Sequence, residues 1–192
     1  MDLKTPAVYA GIGSRQAPPL QVARMERLAQ VLAGHGWTLR TGLAQGADQA
    51  FYRGAAMGRG PVELFLPWPS FERSARTGNG SDVISERPSQ EAYEIARRFH
   101  PAWGNLSRAA RALQARNSHQ VLGGDLGTPA ALVICWTPNG SRDGQAPDAG
   151  GTGQALRIAA GYGVPVLNIA LPDDVERVRE LLSCAREAEV VR

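Results

Sequence analysis

The chain has 192 residues, 43% of them hydrophobic and 20% charged, with a formal net charge of +3. That is the make-up of one ordinary globular domain with enough apolar residues for a full core, and it excludes a disordered or fibrous chain. The small charge argues against a surface built mainly to hold a polyanion, and no apolar run approaches the ~18 residues of a membrane span.

Two cysteines, Cys135 and Cys184, have no CxxC partner, which fits a reducing cytoplasm. The N-terminus has no apolar segment of signal-peptide type. The expectation is a soluble, cytoplasmic protein. Of the 21 basic residues, 20 are Arg and only Lys4 is Lys. Arg suits phosphate oxygens and stacks on rings, but a GC-rich coding sequence produces the same bias. Single Arg residues at turns therefore carry more weight than the total.

In chain order, residues 7–12 are a compact apolar run ending in glycine, the first expected strand. Pro18-Pro19 opens a helix; Val22, Met25, Leu28, Ala29 and Leu32 recur at helical spacing before Gly34 and Gly36 end it. Residues 37–41 read as the second strand. A helix follows from Gly46, with Ala47, Ala50, Phe51 and Ala55 on one face, and residues 62–66 are the third strand, closed by Pro67. Strands alternating with helices of this length predict a parallel sheet covered on both faces.

Residues 67–88 break that rhythm. Trp68-Pro69-Ser70-Phe71-Glu72-Arg73 and Thr77-Gly78-Asn79-Gly80-Ser81 are turn-rich and aperiodic, and an irregular insertion is expected over about 67–105. Helical patterning returns at 89–99, pauses at His100-Pro101, and continues from Leu106 towards Asn117. Residues 131–136 read as the fourth strand, with Cys135 a core thiol. A polar loop at 141–149, a helix from Gly151, a last strand at 164–169 and a helix carrying Val175, Val178, Leu181 and Leu182 complete the chain. The expected fold is α/β, a single doubly wound Rossmann-like domain over 1–192 with a mainly parallel sheet and helices on both faces.

Three glycine-bearing turns carry the chemistry: Gly11-Ile12-Gly13-Ser14-Arg15, Gly42-Leu43-Ala44-Gln45-Gly46-Ala47-Asp48 and Gly150-Gly151-Thr152-Gly153-Gln154. Each sits where a helix pattern begins, and helix-start N–H groups favour anions. Ser14 adds a hydroxyl and Arg15 a bidentate clamp. Alternatively, the first turn is a tight connection whose Arg faces water. Asp48 has two readings: it braces its turn by accepting backbone N–H bonds, or it holds a ribose hydroxyl. Trp68, Phe71 and Trp103 either stack on bases or pack the insertion onto the sheet edge, Trp68 being the best stacking candidate. Arg116-Asn117 and Gly123-Gly124-Asp125 either border the same cleft or form a helix end and a turn. The histidines show no metal spacing, so no metal and no cofactor are expected.

These turns resemble those of the DprA/LOG-like Rossmann superfamily (SLOG), most of all the nucleotide-binding domain of the DNA-processing protein A (DprA/Smf) group. Ala10-Gly11-Ile12-Gly13-Ser14-Arg15 is similar to its VVGSR turn. Thr41 to Ala50 with Arg53-Gly54-Ala55 is similar to its SGLARGID segment, and Gly150 to Gln154 to the PGGxGT turn of LOG-type phosphoribohydrolases. The matches span roughly 7–66 and 128–170, and stand-alone forms of this kind occur in phage and bacterial genomes. The resemblance implies binding of single-stranded DNA or nucleotide phosphates, in recombination or DNA protection, by Gly13, Ser14, Arg15, Gly42, Gly46, Asp48, Trp68, Gly151, Thr152, Gly153 and Gln154, and a homodimer. Its rivals are a nucleoside-monophosphate N-glycosidase of LOG type and a sensor or sequestering protein for a small nucleotide-derived signal. LOG-type enzymes place a glutamate where this chain has Arg157. Arginine neither steadies an oxocarbenium ion nor activates water, so a carboxylate from Asp48, Glu86, Glu91 or Asp125 would have to replace it. A binding protein is therefore favoured over an enzyme.

Overall fold

The computed structural model describes residues 7–76, 82–146 and 150–190, with the side chains of 183–190 excepted. Lys4, the Thr77–Ser81 turn, positions 147–149 and the Cys184 side chain lie outside the described residues. Twelve regular elements follow in order: β1 (Val8–Gly13), α1 (Pro19–Gly34), β2 (Thr38–Thr41), α2 (Ala47–Met57), β3 (Val62–Phe65), β4 (Asp82–Ser85), α3 (Gln90–Phe99), α4 (Arg108–Leu122), β5 (Leu132–Trp136), α5 (Gly150–Gly161), β6 (Val166–Asn168) and α6 (Pro172–Val190). The strands form one sheet in the order β4-β3-β2-β1-β5-β6, and every pairing is parallel. The fold is α/β and Rossmann-like.

Side chains alternate across the sheet because successive Cβ atoms point to opposite faces. Tyr9, Leu132, Ile134 and Trp136 pack with α1, α2 and α6 on one face. Ala10, Ile12, Val133 and Cys135 pack with α4 and α5 on the other. Both faces are buried, so β5 reads as a continuous apolar run rather than an alternating one. Burial also pushes the Cys135 thiol well up, which makes it an inert core group. Helix α3 lies outside α4, where Ala92, Ala96 and Ala115 let the two approach closely. Ser89 and Ser107 cap α3 and α4 by accepting the N–H of Ala92 and Ala110 at 3.2 Å, each worth ~1 kcal/mol.

The expected irregular insertion is in part regular. Residues 82–85 are β4, a parallel edge strand, so the strand at 132–136 is the fifth and not the fourth. Its two apolar residues, Val83 and Ile84, are exposed. It is held by backbone pairing to β3 and by the Tyr52 hydroxyl donating to Asp82 at 2.6 Å, neither of which leaves a hydrophobic period. Helix α4 also runs a turn and more past Asn117, to Leu122. Arg116 to Gln120 are all buried there, so the segment looks polar in sequence although it is interior.

Sheet order reverses between β1 and β5. β1 leads outwards to β2 on one side, whereas β5 lies on the other, so a crevice forms beyond their carboxyl ends.

Candidate functional site: a cleft at the switch point

A cavity of about 450 Å³ fills that crevice, within the ~300–1,000 Å³ of small-molecule sites. All three glycine turns reach it. Gly13, Ser14 and Arg15 come from the first, Ala44 and Asp48 from the second, and Gly150, Gly151 and Thr152 from the start of α5. The fourth wall is the inner face of α4, with Leu113, Arg116, Asn117 and Gln120.

The first two turns are tied to each other rather than left open. The N–H groups of Gly13 and Ala44 both go to the Asp48 carboxylate. Ser14 N–H donates to the Trp136 carbonyl at 3.1 Å, and Ala47 N–H to the Ser14 carbonyl at 3.3 Å. Gln16 N–H donates to Ser14 Oγ at 3.1 Å, which leaves the Ser14 hydroxyl hydrogen for another acceptor. Gly46 makes this docking possible: its φ is +80°, and a Cβ there would stand 2.7 Å from the carbonyl oxygens of Ser14 and Arg15. Internal acceptors thus hold the Gly13, Ser14, Gln16, Ala44 and Ala47 N–H groups of these two turns, while the first N–H groups of α5, as at any helix start, have no intrahelical acceptor. Asn117 Nδ2 donates to the Gly151 carbonyl at 3.1 Å and fixes that helix start against α4.

Asp48 is 3% exposed and Arg116 7%. Arg116 Nη1 stands 3.3 Å from Asp48 Oδ2. Burial pushes the Asp48 carboxyl up, opposed first by the Arg116 charge and then by the two backbone N–H groups. Burial likewise lowers Arg116, opposed by Asp48, while Arg15 nearby lowers it further. The guanidinium stays charged, and Asp48 is its counter-ion. Nη1 is thus answered by the Asp48 carboxylate, whereas among the described residues Arg116 Nε and Gln120 Nε2 have no acceptor. Two surfaces hold the guanidinium in place. The Phe71 ring centroid lies 5.7 Å from its central carbon, and Gly42 lies against Nη1 so closely that a Cβ would occupy the same space.

Among the sequence-expected residues, Gly13, Ser14, Arg15, Asp48, Gly151 and Thr152 line the cleft. Gly42 and Gly46 support it from behind. Gly153 and Gln154 are buried in α5 outside it: Gln154 Nε2 donates to the Ala96 carbonyl at 2.8 Å and Oε1 accepts from Arg157 at 3.1 Å, so that amide is consumed by packing. Trp68 stands outside too, edge-on to Phe71 at 5.2 Å, in keeping with the packing alternative. Its neighbour Phe71 reaches the site through Arg116. Asp48 adopts the brace reading. Arg116 and Asn117 lie in the cleft, whereas Gly123 to Asp125 form the turn after α4, where Asp125 accepts from Gly127, Thr128 N and Thr128 Oγ1. Glu86, Glu91 and Asp125 do not line the cleft. Gln120 was missed altogether: it sits in a polar run with no apolar period to mark its inward face.

Among the described residues, no group of three or more His, Cys, Asp or Glu is placed to hold a metal ion, and no helix is long and apolar enough to cross a membrane.

Fold and cleft together define a Rossmann-like protein with a switch-point crevice whose charged lining is Arg15, Arg116 and Asp48. In a comparison with solved structures the chain is similar to DNA processing protein A (DprA) from Streptococcus pneumoniae, with 14% identity, a TM-score of 0.41 and 91% of this chain covered. It spans 62% of that protein's chain. No protein-family model matches the sequence, and no curated protein does.

Proposed function

We propose that the cleft binds a phosphate-bearing ligand the size of one nucleotide, and that the protein is a nucleotide-binding protein rather than a hydrolase. One observation carries this reading: Arg116 Nε and Gln120 Nε2 are buried at the cleft wall and have no acceptor among the described residues. An unsatisfied buried donor costs ~1–3 kcal/mol, more when charged, and an oxyanion in the cleft offsets the charged part of that cost through the Arg116 guanidinium. Arg15 and the start of α5 add positive potential beside them. Ile12, Leu113, Pro138 and Ala155 give the cavity apolar wall against which a sugar or base fits. The cavity takes one unit, so a free nucleotide suits it better than a strand. A unit of single-stranded DNA entering the same cleft is the version a salt titration separates.

The N-glycosidase reading rests on Asp48, the carboxylate that lines the cleft. That carboxylate accepts two backbone N–H groups and faces Arg116. It is committed to holding the turns and poorly placed to activate water.

The test is calorimetric titration of nucleoside monophosphates and a short oligonucleotide at two salt concentrations, with assay for released base. Arg15→Ala and Gln120→Leu are expected to weaken mononucleotide binding by roughly tenfold, about 1.4 kcal/mol. Arg177→Ala, on α6 beside Asp174, leaves it unchanged. A gentle salt dependence fits one phosphate; a steep one moves the assignment to a strand. Equal losses from Arg15→Ala and Arg177→Ala would mean the ligand lies elsewhere.

A further inference from the structure

A second cavity, of about 330 Å³, lies between the end of α3 and the flank of α5. Arg98, His100 and Arg157 line it, with Gly144 to Ala146 from the loop after β5, and among the described residues no carboxylate does. Arg157 is anchored by three bonds: Nε to the Phe99 carbonyl at 2.9 Å, Nη1 to the Gly144 carbonyl at 2.6 Å and Nη2 to Gln154 Oε1 at 3.1 Å. A guanidinium carries five N–H groups, so one on each Nη has no partner among the described residues. The anchoring fixes where they stand. His100 is oriented as well: Ala102 N–H donates to its Nδ1 at 3.2 Å, which puts the hydrogen of the neutral ring on Nε2. Burial, and the Arg157 charge after it, lower the His100 pKa and favour that neutral form. Arg98 is exposed at the rim.

We propose that this cavity is a second, independent oxyanion site, taking a phosphate group between Arg157 and Arg98 with His100 as a neutral donor. The two cationic forks and the Nε2 donor of His100 match a phosphate's charge and its surplus of acceptor oxygens. Thr152, at the first cleft, and Arg157 are five residues apart on α5, a rise of roughly 7.5 Å along the helix. One phosphorylated ligand with two phosphates is therefore a rival source for the group in the second cavity, and the experiment separates it.

Inorganic phosphate is titrated into the full chain, following backbone amides and histidine ring resonances by NMR, in the wild type, Arg15→Ala, Arg98→Glu and Arg98→Gln. His100 and Gln145 resonances are expected to shift saturably in the wild type and equally in Arg15→Ala. Arg98→Glu raises the apparent Kd at those resonances at least tenfold, and Arg98→Gln by a smaller factor, with melting temperatures unchanged. Three results overturn the proposal: shifts that rise linearly without saturation, shifts as large in Arg98→Glu as in the wild type, or shifts that vanish in Arg15→Ala. The last would make the cavity an annex of the first cleft. Phosphate binding at the first cleft is read from its own resonances, so failure there does not touch this result.

Discussion

The two faces of the sheet are built from different materials. Beneath α1, α2 and α6 the contacts are almost wholly apolar, with Met25, Leu39, Phe51, Leu64 and Ile134 buried together. Beneath α3, α4 and α5 the interior holds a buried polar run. Most of that run is answered within the protein: Ser118 Oγ donates to the Ala92 carbonyl, Asn117 to Gly151, and His119 bonds Gly123 and Ser89. Arg116 and Gln120 keep unanswered donors, and both line the cleft. The contrast teaches where to look for function in a fold of this kind: at buried polar groups that lack a partner and also line a cleft, which the unpartnered Tyr9 hydroxyl does not.

The largest effect expected of that contrast comes from Phe51→Ala and Asp48→Ala. Truncating Phe51, fully buried on the apolar face, costs ~3–5 kcal/mol of stability by cavity formation. Removing Asp48 costs a similar ~3–5 kcal/mol because it strands the Arg116 charge. Denaturant unfolding with and without phosphate distinguishes them. Phosphate restores more of the loss in Asp48→Ala than in Phe51→Ala, since an anion replaces the missing counter-charge. Equal recovery would erase the distinction between the faces.

A smaller effect is expected from acid. Ser89 N–H donates to His119 Nε2 at 3.1 Å, so the ring hydrogen sits on Nδ1, 3.0 Å from the Gly123 carbonyl. Burial lowers the His119 pKa, partly offset by the Gly123 carbonyl and the Glu91 charge. The unfolded chain then takes up a proton near pH 6.5, before the folded one does. Stability is full above that value and falls as pH drops through it towards the lower folded pKa. Denaturation midpoints between pH 7.5 and 5 should show this slope in the wild type and lose it in His119→Gln. An unchanged slope would mean the proton goes elsewhere.

The smallest effect is a gain. The Tyr9 hydroxyl is buried among Trp37 and Phe51 with no acceptor among the described residues, on the apolar face. Tyr9→Phe should stabilise the protein by about 1 kcal/mol, read as a raised melting temperature. A loss would show that the hydroxyl has a partner after all.

How far the sequence could be read follows from the same contrast. The strand-helix alternation and the three turns were legible because apolar periods and glycines announce themselves locally. Strand β4 was not, since its stability is backbone pairing and its apolar side chains face outwards. Gln120 was hidden by its polar neighbours. Gly42 was visible, but not that its missing Cβ makes room for a side chain from α4.

The amino-acid order alone determined the α/β class, the parallel sheet and the placing of the turns at helix starts, because these depend on residues within a few positions of one another. Only the tertiary structure decided that the first two turns are tied to each other, that Asp48 is a counter-ion and brace, and that Arg116 faces the crevice. Those outcomes depend on which groups 30 to 100 residues apart come within hydrogen-bonding reach, as Asp48 does with Arg116 at 3.3 Å, and no local pattern encodes that distance.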